Sequence, residues 1–169
     1  MLLYYKQRGA IGVGELTANL PVDDPMLDNL FYHCAECDMP VIIHSREAAA
    51  DTLEVMKEHG QGLRGVIHCF SYSKELAQEY VKMGYYIGVG GVVTFKNAKK
   101  LKEVVETVPL ERILLETDCP YLAPTPFRGK RNSSIYIPYI AEEIANIKGV
   151  TYDEVVAQTE RNGKDLFRI

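Results

Sequence analysis

The chain has 169 residues, 47% of them hydrophobic and 25% charged, and a net charge of −4. That fits one globular domain and falls short of the roughly 250 residues of a complete (β/α)8 barrel. Residues 1–60 carry ten acidic and four basic side chains, and residues 61–169 carry thirteen and fifteen, so no stretch is basic enough to hold nucleic acid by bulk electrostatics.

Met1 to Tyr5 is apolar but ends at Lys6 and Arg8. It is too short for a membrane span or a signal peptide, which predicts a cytoplasmic protein. Ala10 to Gly14 predicts a short strand closed by Glu15. Asp24 can cap a helix with Pro25 at its first position, running to about Cys37. Asp38-Met39-Pro40 breaks it. Val41-Ile42-Ile43 predicts a buried strand ending at His44. Glu47 to His59 predicts a helix with Ala48, Thr52, Val55 and Met56 facing inward, stopped by Gly60.

Gly65-Val66-Ile67 predicts the next strand, ending at His68. Ser73 caps a helix through Met83, and Gly84 ends it. Tyr85 to Val89 predicts a strand, Asn97 to Val108 a helix, and Ile113 to Leu115 a strand that delivers Glu116 to Asp118. Pro120, Pro124 and Pro126 make a stiff loop before Arg128-Gly129-Lys130-Arg131-Asn132. A helix from about Ile135 to Ile147 follows. Thr151 with Glu154 forms a capping box for the last helix. Five near-continuous apolar strands alternating with helices predict an α/β fold, a parallel sheet covered by helices. The arrangement is that of an incomplete TIM-type (β/α) barrel in a single domain over residues 1–169.

Glu15, His44, His68 and Asp118 all stand where a predicted strand ends. Side chains at the carboxyl ends of successive strands are what build an active site in such a barrel. Imidazole and carboxylate together suit zinc, manganese or iron, carboxylates also admit magnesium, and an open coordination position activates water for hydrolysis, with magnesium, manganese or zinc the expected ion. Asp118 can ligate an ion or accept a proton from water. Glu116, two positions before Asp118, shares its face and needs a partner such as Arg46, in a structural ion pair or behind a metal ligand. Arg46, Arg128 and Arg131, with Lys130 and Asn132, are expected to contact phosphate. The cysteines Cys34, Cys37, Cys69 and Cys119 are expected to be reduced, and Cys69 and Cys119 to point away from the site as packing residues. Gly88-Val89-Gly90-Gly91 lacks the Lys-Ser/Thr of a phosphate loop, and needs no more than backbone room.

At PVIIHSRE (Pro40 to Glu47), GVIHCFS (Gly65 to Ser71), ETDCPYL (Glu116 to Leu122), PTPFRGKRN (Pro124 to Asn132) and the C-terminal RNGKDLF, the sequence resembles the TatD family of metal-dependent deoxyribonucleases. The resemblance covers about residues 40–169, and residues 1–39 match loosely. It implies a TIM-type barrel and metal-dependent hydrolysis of DNA phosphodiesters with two divalent cations. By resemblance Glu15 would bridge the metals, His44 and His68 would hold one ion, and Asp118 would hold the other and move a proton.

The family's His-x-His motif on the first strand has no counterpart before His33. The resemblance therefore implies that the first three strands are missing and that the metal site is incomplete, with one ion here. Two other readings follow from the same residues: hydrolysis of another ester or amide, or a truncated, inactive chain. Five open strands leave two sheet edges, which predicts self-association.

Overall fold

The computed structural model of the chain describes residues 2–17 and 25–169. A short helix α1 (Leu2–Lys6) leads to β1 (Val13–Thr17), α2 (Pro25–Glu36), β2 (Val41–His44), α3 (Ala49–His59), β3 (Gly65–His68), α4 (Lys74–Lys82), β4 (Tyr86–Val89), α5 (Lys99–Thr107), β5 (Ile113–Leu115), α6 (Ile137–Lys148) and α7 (Tyr152–Phe167). The strands form one parallel sheet in the order β1-β2-β3-β4-β5. Sequential parallel neighbours joined through helices form an arc of a (β/α) barrel, the fold class expected from the sequence.

Strand alternation divides the sheet into two faces. Val41, Ile43, Ile67, Ile87, Val89 and Ile113 turn toward the helices and are 0–3% exposed. They pack with Phe31, Met56, Tyr80, Val104 and Ile144 in the main core. The intervening residues belong to a smaller cluster of Val66, Tyr86 and Leu166, flanked by the half-buried Ile42, Leu114 and Phe167. The His residues continue this second set, at the ends of β2 and β3.

The C-terminal motif turns out to be a fastening. From α7, Asn162 Nδ2 donates to the carbonyls of Leu110 and Ile113, at 2.8 Å each, and so occupies part of the edge of β5. Asp165 accepts from the Tyr86 hydroxyl at 2.8 Å, and the Arg64 guanidinium donates to the Leu166 carbonyl. The capping box expected at Thr151 and Glu154 starts this helix. Ser73 likewise caps α4 by accepting from the Leu76 N–H.

Several expected boundaries move. Residues 10–12 do not join the first strand. Pairing begins where Val13 meets Val41 and donates to the Pro40 carbonyl, because a strand needs a neighbour to extend against. β1 then runs through Glu15 to Thr17, with an irregular register between Val13 and Leu16. Glu15 therefore sits inside β1 rather than beyond its end. The expected cap at Asp24 lies outside the described residues. Glu47 has a left-handed backbone (φ 57°), so α3 begins only at Ala49. Among the described residues no helix is long and apolar enough to cross a membrane.

Candidate metal centre

His44 and His68 occupy matching positions in the β2–β3 register. Adjacent parallel strands place such a pair side by side on one face, and the ring centres lie 5.9 Å apart. His44 Nδ1 and His68 Nε2 are both buried without a hydrogen-bond partner. An orphaned buried nitrogen costs about 1–3 kcal/mol, so two neighbours of this kind point to a ligand that would satisfy them.

Asp118 stands beside the Nε2 edge of His68. Its Oδ1 is 3.4 Å from Nε2, within reach of an ion pair but not aligned as a hydrogen bond. The other ring nitrogen, Nδ1, is 2.8 Å from Glu116 Oε2. Glu116 Oε1 accepts from the Cys69 N–H at 2.6 Å. The hydrogen bond to Glu116 is the main reason that the His68 pKa is pushed up to about 9, against burial and with help from both carboxylate charges. The Cys69 thiol is pushed up to about 12, by burial first and then by the charges of Glu116 and Asp118.

The strand-end backbones are under strain. Cys69 and Asp118 have φ of 48° and 52°, a left-handed conformation unusual for residues with side chains. The Asp118 loop is held in that shape by Asn132, which is 3% exposed. Its side-chain amide donates to the carbonyls of Thr117 (2.5 Å) and Tyr121 (2.6 Å), and its own N–H donates to Pro120 (2.9 Å). Asn132 is thus an internal fastener and not the phosphate contact expected of it, because no free donor is left over.

A cavity of about 890 Å³ opens over the carboxyl ends of the strands, lined among others by His44, Arg46, Cys69, Lys99, Asp118 and Tyr121. His68 and Glu116 line a second cavity of about 480 Å³, with Ile42, Val66 and Leu114 of the inner face. His68, on the wall of the smaller cavity, contacts Asp118 on the wall of the larger. Of the three arginines expected to bind phosphate, Arg46 lines the larger cavity. Arg128 lies instead over the Phe95 ring at 4.3 Å, and Arg131 is exposed and lines neither cavity.

Two other expectations change. Glu116 is paired with His68 and not with Arg46. Cys69 lines the larger cavity instead of pointing away, since its left-handed backbone breaks the strand alternation, and Cys119 is exposed rather than packed. All four cysteines are free. Glu15 lies on β1, but its side chain is outside the described residues. Among the described residues no three His, Cys, Asp or Glu side chains converge on one point closely enough to hold an ion. The donors that do approach are of the right kind: two unsatisfied imidazole nitrogens and a carboxylate fit a divalent cation.

A parallel arc with imidazoles and a carboxylate at the strand ends is an arrangement that metal-dependent hydrolases of barrel type also use. Residues 20–168 match the family model described as TatD related DNase, and the chain belongs to that family. It is 51% identical over 135 residues to the uncharacterized metal-dependent hydrolase YabD of Bacillus subtilis, covering 79% of this chain and 53% of YabD. It is 44% identical over 135 residues to the uncharacterized metal-dependent hydrolase YcfH of Escherichia coli, covering 79% and 51%. Among solved structures it is similar to YjjV, a TatD homologue from Escherichia coli, with a TM-score of 0.87 and 30% identity over 99% of this chain and 68% of YjjV. It also shares its fold with a TatD-family hydrolase from Entamoeba histolytica, at a TM-score of 0.80 and 22% identity over 98% and 66%. The chain spans about half the length of the curated relatives it matches.

Proposed function

We propose that His44, His68 and Asp118 are ligands of a metal-dependent hydrolytic centre that cleaves DNA phosphodiesters, with Glu15 completing the set from β1. The observation that carries this reading is the pair of buried ring nitrogens without partners, one of them facing Asp118. A bound divalent ion (magnesium, manganese or zinc) supplies Lewis acidity and makes water a nucleophile near neutral pH. Asp118, partly exposed on the cavity wall, accepts the proton from the attacking water. Arg46, at the same cavity, grips the non-bridging phosphate oxygens. Lys99, which lines the same cavity, adds positive charge.

The test is hydrolysis of a DNA oligonucleotide by the chain after chelator treatment, with and without added magnesium, manganese or zinc. Cleavage is expected only with added metal, and is expected to disappear in His44→Ala and in His68→Ala. Cleavage that survives complete metal removal would overturn the mechanism. Metal uptake without DNA cleavage would leave the centre and remove the substrate.

A further inference from the structure

We propose that Glu116 is a positioning residue that fixes His68 with its proton on Nδ1, leaving the Nε2 lone pair directed at Asp118. The consequence for metal binding rests on the reading above; the assignment of the proton does not.

The argument begins with what each group can do. An ionised carboxylate only accepts hydrogen bonds, and a backbone N–H only donates. Glu116 Oε1 is committed to the Cys69 N–H at 2.6 Å, so the carboxylate cannot turn away from the ring. Oε2 is then held 2.8 Å from His68 Nδ1. Asp118 Oδ1 also faces the ring, but it stands 3.4 Å from Nε2 and out of line, so the aligned 2.8 Å contact sets the proton of a neutral imidazole on Nδ1 and leaves Nε2 bare. Nε2 has no hydrogen-bond partner of its own, which agrees.

The neighbouring strand makes room for this carboxylate. A Cβ on Gly88 would press on Glu116 Oε2 and stand 2.8 Å from its Cδ and 3.1 Å from the Ile67 carbonyl. The glycine in the middle of β4 thus vacates the space that Glu116 fills. A carboxylate behind a histidine, on the nitrogen away from the ion, also raises the basicity of the ligating nitrogen.

Glu116→Gln separates this role from a merely structural one. The substitution keeps the shape but turns one oxygen into a donor. The Cys69 N–H, which cannot accept, claims the remaining oxygen, so the amide NH2 faces Nδ1. That nitrogen must now accept, and the ring proton moves to Nε2. Long-range ¹H–¹⁵N NMR of the metal-free chain, at an alkaline pH where the ring is neutral, reads the two nitrogens directly. The native chain is expected to show Nδ1 protonated and Nε2 bare, and Glu116→Gln the reverse. Calorimetric zinc titration is expected to show binding weakened by about 10–100-fold in Glu116→Gln. Gly88→Ala, with Glu116 intact, is expected to mix the two tautomers by displacing the carboxylate.

A native chain with Nε2 protonated overturns the proposal, and that spectrum decides even if neither variant folds. An unchanged tautomer in a folded Glu116→Gln also overturns it. If the tautomer reverses but neither protein takes up zinc, Glu116 keeps its role and the metal centre is the reading that fails.

Discussion

The two faces of the sheet are built on different terms. On the helix side, Val41, Ile43, Ile67, Ile87, Val89 and Ile113 are sealed. Opposite them, β2, β3 and β5 present Ile42 and Leu114, both half-buried, together with His44, His68 and, one residue past β5, Glu116. One face removes apolar surface from water and supplies stability. The other keeps polar atoms where burial disfavours them, with strained backbone at Cys69 and Asp118, and holds the groups proposed for chemistry. The alternation of a strand lets one short run serve both, since Ile43 and His44 differ by one position and face opposite ways.

That division can be broken in a definite order. The largest effect is expected at the chemical face. Asp118→Asn removes the proposed proton acceptor but nearly keeps the shape, so it should lower hydrolysis by about 10²–10⁴-fold with the unfolding midpoint almost unchanged. Steady-state rates beside urea melts check both halves. A large loss of stability would mean that Asp118 mainly holds the fold. On the sealed face, Ile87→Ala should do the reverse. It removes a fully buried side chain, and its expected cost of about 2–5 kcal/mol appears in the urea midpoint. Metal uptake by the molecules still folded should be unchanged. Leu114→Ala, half-buried on the inner face, should cost about 1 kcal/mol. A cost equal to that of Ile87→Ala would erase the distinction between the faces.

The sealed face was the more legible in the sequence. Short β-branched runs at Val41-Ile42-Ile43 and Gly65-Val66-Ile67 announce buried parallel strands, and each ends in a histidine that the register then sets beside its neighbour. What crosses the sheet was harder to read. Spacing put Glu116 and Asp118 on one face, but it does not say which side chain two strands away meets the carboxylate. The partner is His68, and the expected Arg46 lines the larger cavity instead. A signal was present in Gly88, a glycine inside an apolar strand, which marks a close approach by something else. Asn132 misled because it follows a run of cations. A buried amide with three fixed hydrogen bonds has a different task from the arginines beside it. β1 shifted because its alternation alone does not show where its pairing partner begins.

The smallest and last effect concerns the sheet edges, and here β1 and β5 differ as the two faces do. At β5 the Ile113 carbonyl is taken by Asn162, and α7 packs along the strand. At β1, among the described residues, β2 is the sole hydrogen-bonded strand neighbour. An edge with free backbone groups is a template for another chain, and one already taken by side chains is not. The chain is therefore expected to self-associate weakly through β1, visible as a sedimentation coefficient that rises with concentration. Asn162→Ala should strengthen that association, because it leaves the Ile113 carbonyl without its donor and opens a second edge. A concentration-independent monomer would remove the edge at β1 from consideration. An Asn162→Ala variant that loses stability without associating further would show that α7 guards β5 by its packing, with the amide contributing only to the helix's attachment.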